Sequence, residues 1–367
     1  FKTVKIVTET AVNILMFFPF ASFCAARAAA LGVSPEALAT SDVWLLHFVS
    51  PVPDFTYVIF AVFVSCVVCG LLFLPSLVKF SFEFDSRLLK EMLMYSLPLM
   101  VAALPGIIND FLDRILFRFF DTGSEAWRSS LGIYQAAVKL SVIMSLFIQM
   151  FRFAAEPFFF QRASDRGSKT LYAKVMEYFT AFCGLAFLCV MLYIDVISLI
   201  LGRDFREGIG IVPIMLVSYM FLGMLFNVSM WYKLSGRTSM AIYITLAGLV
   251  VTVAVNVIFM PAYSYRASAW AHLASYTVMF AISAFLGQKY YPIPYRWGRI
   301  AMVFAGMLGI YGLSVWLDGI WFADVAVGAS GAGAVALKLT VHTMLVALYL
   351  GLAAFIVRRK NPVQLES

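Results

Sequence analysis

Charge is scarce in this sequence. Asp, Glu, Lys and Arg make up 13% of its 367 residues, about half the share usual in a soluble domain. Histidine is nearly absent. His47, His272 and His342 stand far apart with no partner at ligand spacing, so no metal site is expected. The five cysteines all lie in apolar runs. Cys66 and Cys69 spell C-x-x-C inside "VFVSCVVCGLLF", but no second pair or His cluster accompanies them. They are expected to be buried thiols without a metal or redox role. No G-x-x-x-x-G-K-[ST] occurs, which excludes ATP hydrolysis by a P-loop. No stretch has the composition of a soluble domain or a long linker. The chain opens on Phe1, already in an apolar run, so no signal peptide is set aside and a further N-terminal part is expected.

Apolar residues are abundant, at 62%, against about 45–50% in soluble domains. They come in blocks near the roughly 20 residues a helix needs to cross a bilayer. The fold class that follows is all-α, a polytopic membrane protein with ten spans at about 5–26, 54–78, 92–118, 131–157, 175–201, 209–232, 239–260, 268–288, 299–316 and 336–357. Residues 27–50 form the longest polar-leaning connection, with a short surface helix expected in it. The Gly/Ala-rich "WFADVAVGASGAGAV" (321–335) reads as a loop into the last span. Aromatic clusters at span ends, "MWYK" and "YYPIPYRW", suit the membrane–water interface.

The net charge of +7 belongs with this topology rather than with nucleic acid. Counted over the connections, seventeen Lys and Arg residues fall on one side and seven on the other. By the positive-inside rule the first side is cytoplasmic, and both ends of the chain face it.

Three positive residues remain inside spans: Arg114, Lys139 and Arg152. An intramembrane charge costs at least about 2.5–3.5 kcal/mol, so it normally faces protein or a water-filled cavity and marks a functional site. On the fourth span Ser145, Gln149, Arg152 and Glu156 fall within roughly 60° of one face, extended outward by Gln135 and Lys139. The third span adds Asn109, Asp110, Asp113 and Arg114 on one side, and the first span adds Lys5, Glu9 and Asn13 at i, i+4, i+8. The three stripes are expected to line one aqueous, basic-leaning cavity. A structural reading competes with this one. Asp110–Arg114 and Arg152–Glu156 are i,i+4 partners that would neutralise each other, Lys5 and Glu9 would form a helix-end pair, and Arg118 and Glu156 lie near enough to span ends to snorkel. Lys139 has no acid at i±3 or i±4. Asn227 and Asn256 read as interhelical hydrogen bonders.

Two runs carry a resemblance: "YSLPLMVAALPGIINDFLDRILFRFF" and "LGIYQAAVKLSVIMSLFIQMFRFAAEPFFFQRASD". With S-L-P-L opening a span, N-D-x-x-D-R-x-x-L at its outer end and G-x-Y-x-x-x-x-K then R-x-x-x-E-P-F-F-F in the next, residues 95–165 resemble bacterial polysaccharide or O-antigen flippases. These belong to the multidrug/oligosaccharidyl-lipid/polysaccharide exporter superfamily. The resemblance implies fourteen helices in two six-helix lobes plus two extra ones, rocking about a central cavity. The ten spans would then be helices five to fourteen. Residues 1–80 would end the N-terminal lobe, 81–292 would form the C-terminal lobe, and 293–367 would supply the two extra helices.

The implied function is transport of undecaprenyl-pyrophosphate-linked oligosaccharide across the bacterial inner membrane for surface polysaccharide or lipopolysaccharide synthesis, by alternating access and without enzymatic chemistry. Lys139, Arg152 and Arg114 would hold the anionic headgroup, since Arg binds phosphate bidentately and Lys as a point charge. Gln149, Gln135, Asn109 and Asn13 would bond sugar hydroxyls. Asp110, Asp113, Glu156 and Glu9 would balance charge or couple to ions. Partners would be the lipid-linked substrate, membrane lipids and glycan polymerase or ligase machinery. No cofactor and no nucleic acid are implied, and a monomer is expected. A lipid-linked peptidoglycan precursor would be a related cargo. Two alternatives stand beside this reading: a cation-coupled drug exporter of the same superfamily, which favours a net acidic cavity, and a membrane sugar-lipid polymerase or ligase, expected to carry catalytic residues on a large loop.

Overall fold

In the computed structural model, the described residues are 2–34, 36, 38, 44–78, 84–120, 126–165, 167–322, 325 and 332–358. Every regular element among them is helical, and ten helical stretches are long and apolar enough to cross a membrane. They coincide with the ten runs read from the sequence. By contact clustering the chain divides into residues 1–86 and 87–367, and each part is described by itself.

In the first part, α1 (Lys2–Leu15) and α2 (Ala21–Leu31) are joined by a π-turn at Met16–Phe20 containing Pro19. Proline has no N–H to give to the α-ladder, and a widened turn accommodates it. Gly32, at φ 67°, closes α2 in the left-handed conformation that glycine adopts without steric cost. After a 3-10 turn at Trp44–His47, α3 (Phe55–Val78) packs back on α1. Tyr57 is fully buried here, with Phe17 and Phe20 edge-on at 5.3 and 5.8 Å. Most of the connection 79–85 and parts of 27–50 lie outside the described residues.

The second part opens with two helices longer than the expected spans, α4 (Ser86–Phe120) and α5 (Ala126–Gln161). Next come α6 (Ser168–Leu192), the short α7 (Ile194–Ile197), α8 (Val212–Val228) and the short α9 (Met230–Leu234). Then α10 (Met240–Tyr263), α11 (Tyr265–Tyr290), α12 (Trp297–Trp321) and α13 (Ala332–Arg358) follow. The fifth span, expected to run to 201, ends as an α-helix at Leu192 and continues in α7 and a 3-10 turn. Most of the expected loop 321–335 lies outside the described residues.

The core of this part gathers Met176, Phe187, Met215, Leu216, Met220, Trp231, Met307 and Tyr349 from α6, α8, α9, α12 and α13. Close approach depends on small residues. The Tyr349 ring lies directly over Gly184, where any Cβ would collide with its hydroxyl, and that hydroxyl donates to the Ala181 carbonyl at 3.0 Å. The expectation of buried thiols holds for Cys24 and Cys183 only. Cys66 and Cys189 are exposed on helix surfaces and Cys69 is half-buried. Around Cys66 and Cys69 the apolar Phe63, Val67 and Leu71 are exposed as well, as a lipid-facing helix permits.

At one end of the bundle the aromatic segment 290–297 folds over basic side chains. Tyr290 stacks on Trp231 with the Arg237 guanidinium 4.3 Å from its centroid, and Lys169 lies 4.5 Å over Tyr291. Tyr295 is half-buried beside Trp297 with its hydroxyl enclosed, and desolvation pushes its phenol well above the usual tyrosine range.

Candidate functional site: a polar cluster and cavity behind the third span

Asn109 and Asp113 sit one turn apart on α4 and point inward, at 2% and 1% exposure. A buried carboxylate and amide need partners, and helices far along the chain supply them. Thr252 of α10 donates to Asn109 Oδ1, and Ser275 of α11 lies 3.5 Å from the same oxygen while donating to the Gly248 carbonyl at 2.9 Å. Asn256 donates to the Thr252 carbonyl at 2.9 Å and accepts from Ser268 at 2.9 Å, the interhelical bond expected of it. Asp113 Oδ2 faces His272 Nε2 at 3.4 Å, its Oδ1 accepts the Arg114 backbone N–H at 2.9 Å, and the Tyr134 hydroxyl of α5 also reaches this carboxylate. The Tyr276 ring lies 5.6 Å from His272.

Beside this cluster is a cavity of about 290 Å³. Leu99, Ala102, Ala103, Gly106 and Asn109 form its α4 wall. Phe226 and Ser229, Tyr232, Ile244 and Thr245, and Tyr276 and Met279 close the other sides from α8 through α11. The run of small residues on α4 leaves the space open. Its one charged lining side chain is Arg152 of α5, whose guanidinium lies 5.0 Å over the Phe226 ring. Cationic nitrogen, phenol, hydroxyl and amide groups thus converge on an otherwise apolar pocket, the usual make-up of a site that orients a small polar group.

The stripes are therefore only partly gathered. Asn109 and Arg152 share this cavity, and Asp113 stands next to it. Lys139, Gln149 and Arg114 are exposed and do not line it, the Arg114 guanidinium resting 4.6 Å over Phe111. Gln135 is half-buried, and its Nε2 has no hydrogen-bond partner among the described residues. The Asp110 side chain lies outside the described residues. Glu9 and Asn13 belong to the first part, both half-buried, the Asn13 Oδ1 without a partner among the described residues.

Two pairing expectations are corrected. Glu156 bonds Lys233 of α9 at 2.5 Å, not Arg152 one turn away. An i,i+4 pair contributes only about 0.2–0.5 kcal/mol, and the half-buried position lets a lysine from a neighbouring helix desolvate against the carboxylate. Asn227 makes no interhelical bond among the described residues: both its amide atoms are buried without a partner.

A second polar cluster lies where α6 ends. Lys338, counted from the sequence among exterior charges, is buried on α13, with Nζ 2.6 Å from Asp195 and 3.8 Å from Asp318 of α12. His342 faces the Leu192 carbonyl through Nδ1 at 2.5 Å and Asp318 through Nε2 at 3.1 Å. These groups tie α12 and α13 to the end of α6. Neither His272 nor His342 stood out in the sequence, because their partners lie 159 and 24–150 positions away. The available signal was the polar spacing 268/272/275 on α11 opposite 252/256 on α10. Among the described residues no group of three His, Cys, Asp or Glu could hold a metal ion.

Residues 39–163 match the family model described as polysaccharide biosynthesis protein. The matched stretch contributes Asn109, Asp113 and Arg152. No curated protein and no solved structure matches the chain.

Proposed function

We propose that the protein is a flippase that carries undecaprenyl-pyrophosphate-linked oligosaccharide from the inner to the outer leaflet of the bacterial inner membrane, by alternating access and without covalent chemistry. The family match over residues 39–163 and the ten candidate spans support the class. The observation that carries the reading is Arg152: a guanidinium within an apolar helix, held over Phe226 and lining the same cavity as Asn109. A diphosphate and hydrated sugars crossing about 30 Å of hydrocarbon need fixed donors of this kind. The charged group on the cavity is a base, which favours an anionic cargo over the cationic drugs of the alternative exporter reading. Lys139 and Arg114 are further cationic contacts along the path, Gln149 and Gln135 hydrogen-bond the glycan, and Asp113 with Asp110 and Glu156 balances charge or couples to an ion. Both ends of the chain face the cytoplasm.

The test is flipping of a fluorescent lipid-linked oligosaccharide by the full protein in vesicles. Lys139→Arg should keep most of the activity, and Lys139→Ala and Arg152→Ala should lose it. Normal flipping by both alanine variants would sink the reading. Flipping at full rate with no ion gradient or membrane potential would replace coupled transport by passive scrambling.

A further inference from the structure

We propose that the outward-facing groove between α10 and α11 is a binding site for an anionic glycerophospholipid, with its phosphate on Arg266 and one acyl chain along the groove. The groove has a volume of about 440 Å³ and is lined by Val255, Phe259 and Tyr263 from α10 and by Arg266, Ala267, Trp270 and Ala274 from α11. On each helix these positions recur about every four residues, one stripe along one face. Ala267 and Ala274 are small and form the floor. Phe259, Tyr263 and Trp270 are exposed and form the walls. The stripe is not the face that holds Asn109: Thr252, Asn256, Ser268 and Ser275 point the other way, into the polar cluster.

Position fixes the occupant. α10 and α11 are both candidate spans, joined by Ser264 alone, at φ 47°. Their junction is therefore at the membrane surface, and Tyr263, Arg266 and Trp270 lie where lipid headgroups lie. From Tyr263 to Val255 the groove descends eight residues, about 12 Å at 1.5 Å per residue, within the roughly 15 Å of hydrocarbon in one leaflet. A phospholipid matches both ends: a phosphate for the guanidinium and a flexible chain for the aromatic-walled trough. Arg266 is the one charged residue that lines the groove, and the neighbouring acid, Glu207, lies outside the lining and accepts from the Tyr265 hydroxyl at 3.0 Å.

The experiment is native mass spectrometry of the purified full chain with phosphatidylglycerol and with phosphatidylcholine as probes. The wild type should bind the anionic lipid about tenfold more tightly, because both headgroups carry the phosphodiester but phosphatidylcholine also carries a choline cation that the Arg266 guanidinium repels. Arg266→Ala should erase that preference and Arg266→Lys should keep part of it. Ala274→Phe should weaken both lipids by filling the trough. Trp270→Ala, an exposed position whose loss the fold tolerates, should do so by removing a wall. Retained preference in Arg266→Ala overturns the proposal, as does unchanged affinity for both lipids in Trp270→Ala. Tighter binding of a polyprenyl phosphate that displaces phosphatidylglycerol would also overturn it, assigning the groove to the transported lipid. Flipping of the oligosaccharide is measured separately, so this failure and failure of the proposed function are told apart.

Discussion

The Lys233 ammonium on α9 lies 2.5 Å from the Glu156 carboxylate on α5, and this leaves Arg152, one turn before Glu156, committed to the Phe226 ring instead. The sequence pattern makes Arg152 and Glu156 each other's counter-ions. The structure separates a structural pair, 156–233, from a guanidinium available to a ligand.

Arg152→Ala should therefore leave the amount of protein in the membrane unchanged, because Glu156 keeps its partner. Lys233→Ala should lower stability, by an amount between the roughly 1 kcal/mol of a surface pair and the roughly 3 kcal/mol of a buried one, since the two side chains are 15% and 35% exposed. Immunoblots of membranes and melting curves in detergent check both. Depletion of Arg152→Ala with Lys233→Ala unaffected would reverse the assignment.

Asp113 and His272 should be energetically coupled. Asp113→Ala leaves the imidazole and the Tyr134 hydroxyl without their acceptor inside the bundle and should cost about 1–3 kcal/mol. His272→Ala should cost less in the Asp113→Ala background than alone, with an interaction energy of at least about 0.5 kcal/mol in a double-mutant cycle. Additive losses would mean that the 3.4 Å approach contributes nothing.

Gly184→Ala should destabilise the α6–α13 contact by about 1–3 kcal/mol, the usual cost of overpacking, because the new methyl group meets the Tyr349 hydroxyl. Tyr349→Phe removes that oxygen, so the double variant should recover part of the loss. Melting temperatures of the four proteins measure it, and a Gly184→Ala protein as stable as wild type would show that the ring can move aside.

Lys338→Met should weaken the attachment of α12 and α13 more than its place near a helix end suggests. It leaves Asp195 without its 2.6 Å partner and Asp318 with His342 alone, and because Asp195 is 45% exposed the loss should lie between the roughly 1 kcal/mol of a surface pair and the roughly 3 kcal/mol of a buried one. Limited proteolysis between α11 and α12 should speed up. Lys338→Arg, which keeps the charge, should show a smaller effect.

The spans were legible because their length is imposed from outside: hydrocarbon thickness sets how long an apolar run must be, and all ten appear. The inward turn of Asn109 and Asp113 was legible as a polar face, but its partners were not. Thr252, Ser275 and His272 lie more than 140 positions downstream, and helical periodicity reports a face without saying what it meets. Lys233 with Glu156 and Lys338 with Asp195 escaped for the same reason. Local spacing favoured Arg152 for the one, the charge count put Lys338 on the exterior side at the start of the last span, and tertiary packing overrode both. The cysteines went astray by a different route, since in a membrane an apolar neighbourhood does not distinguish inside from outside.

The way α4 is fastened has a mechanical meaning. Its backbone forms no close seam with another helix among the described residues, Ala102, Ala103 and Gly106 border open space, and its inward hydrogen bonds fall within Asn109–Asp113. With Phe117 fully buried against Tyr134, 5.6 Å between ring centroids, the helix is riveted over Asn109–Phe117 rather than zipped along its whole length. Bonds confined to one end of a helix resist sliding and separation there but offer little torque against rotation of the rest, so the long arm from Ser86 to Gly106, with Pro98 and Pro105 already interrupting its own ladder, is a lever hinged at its inner end.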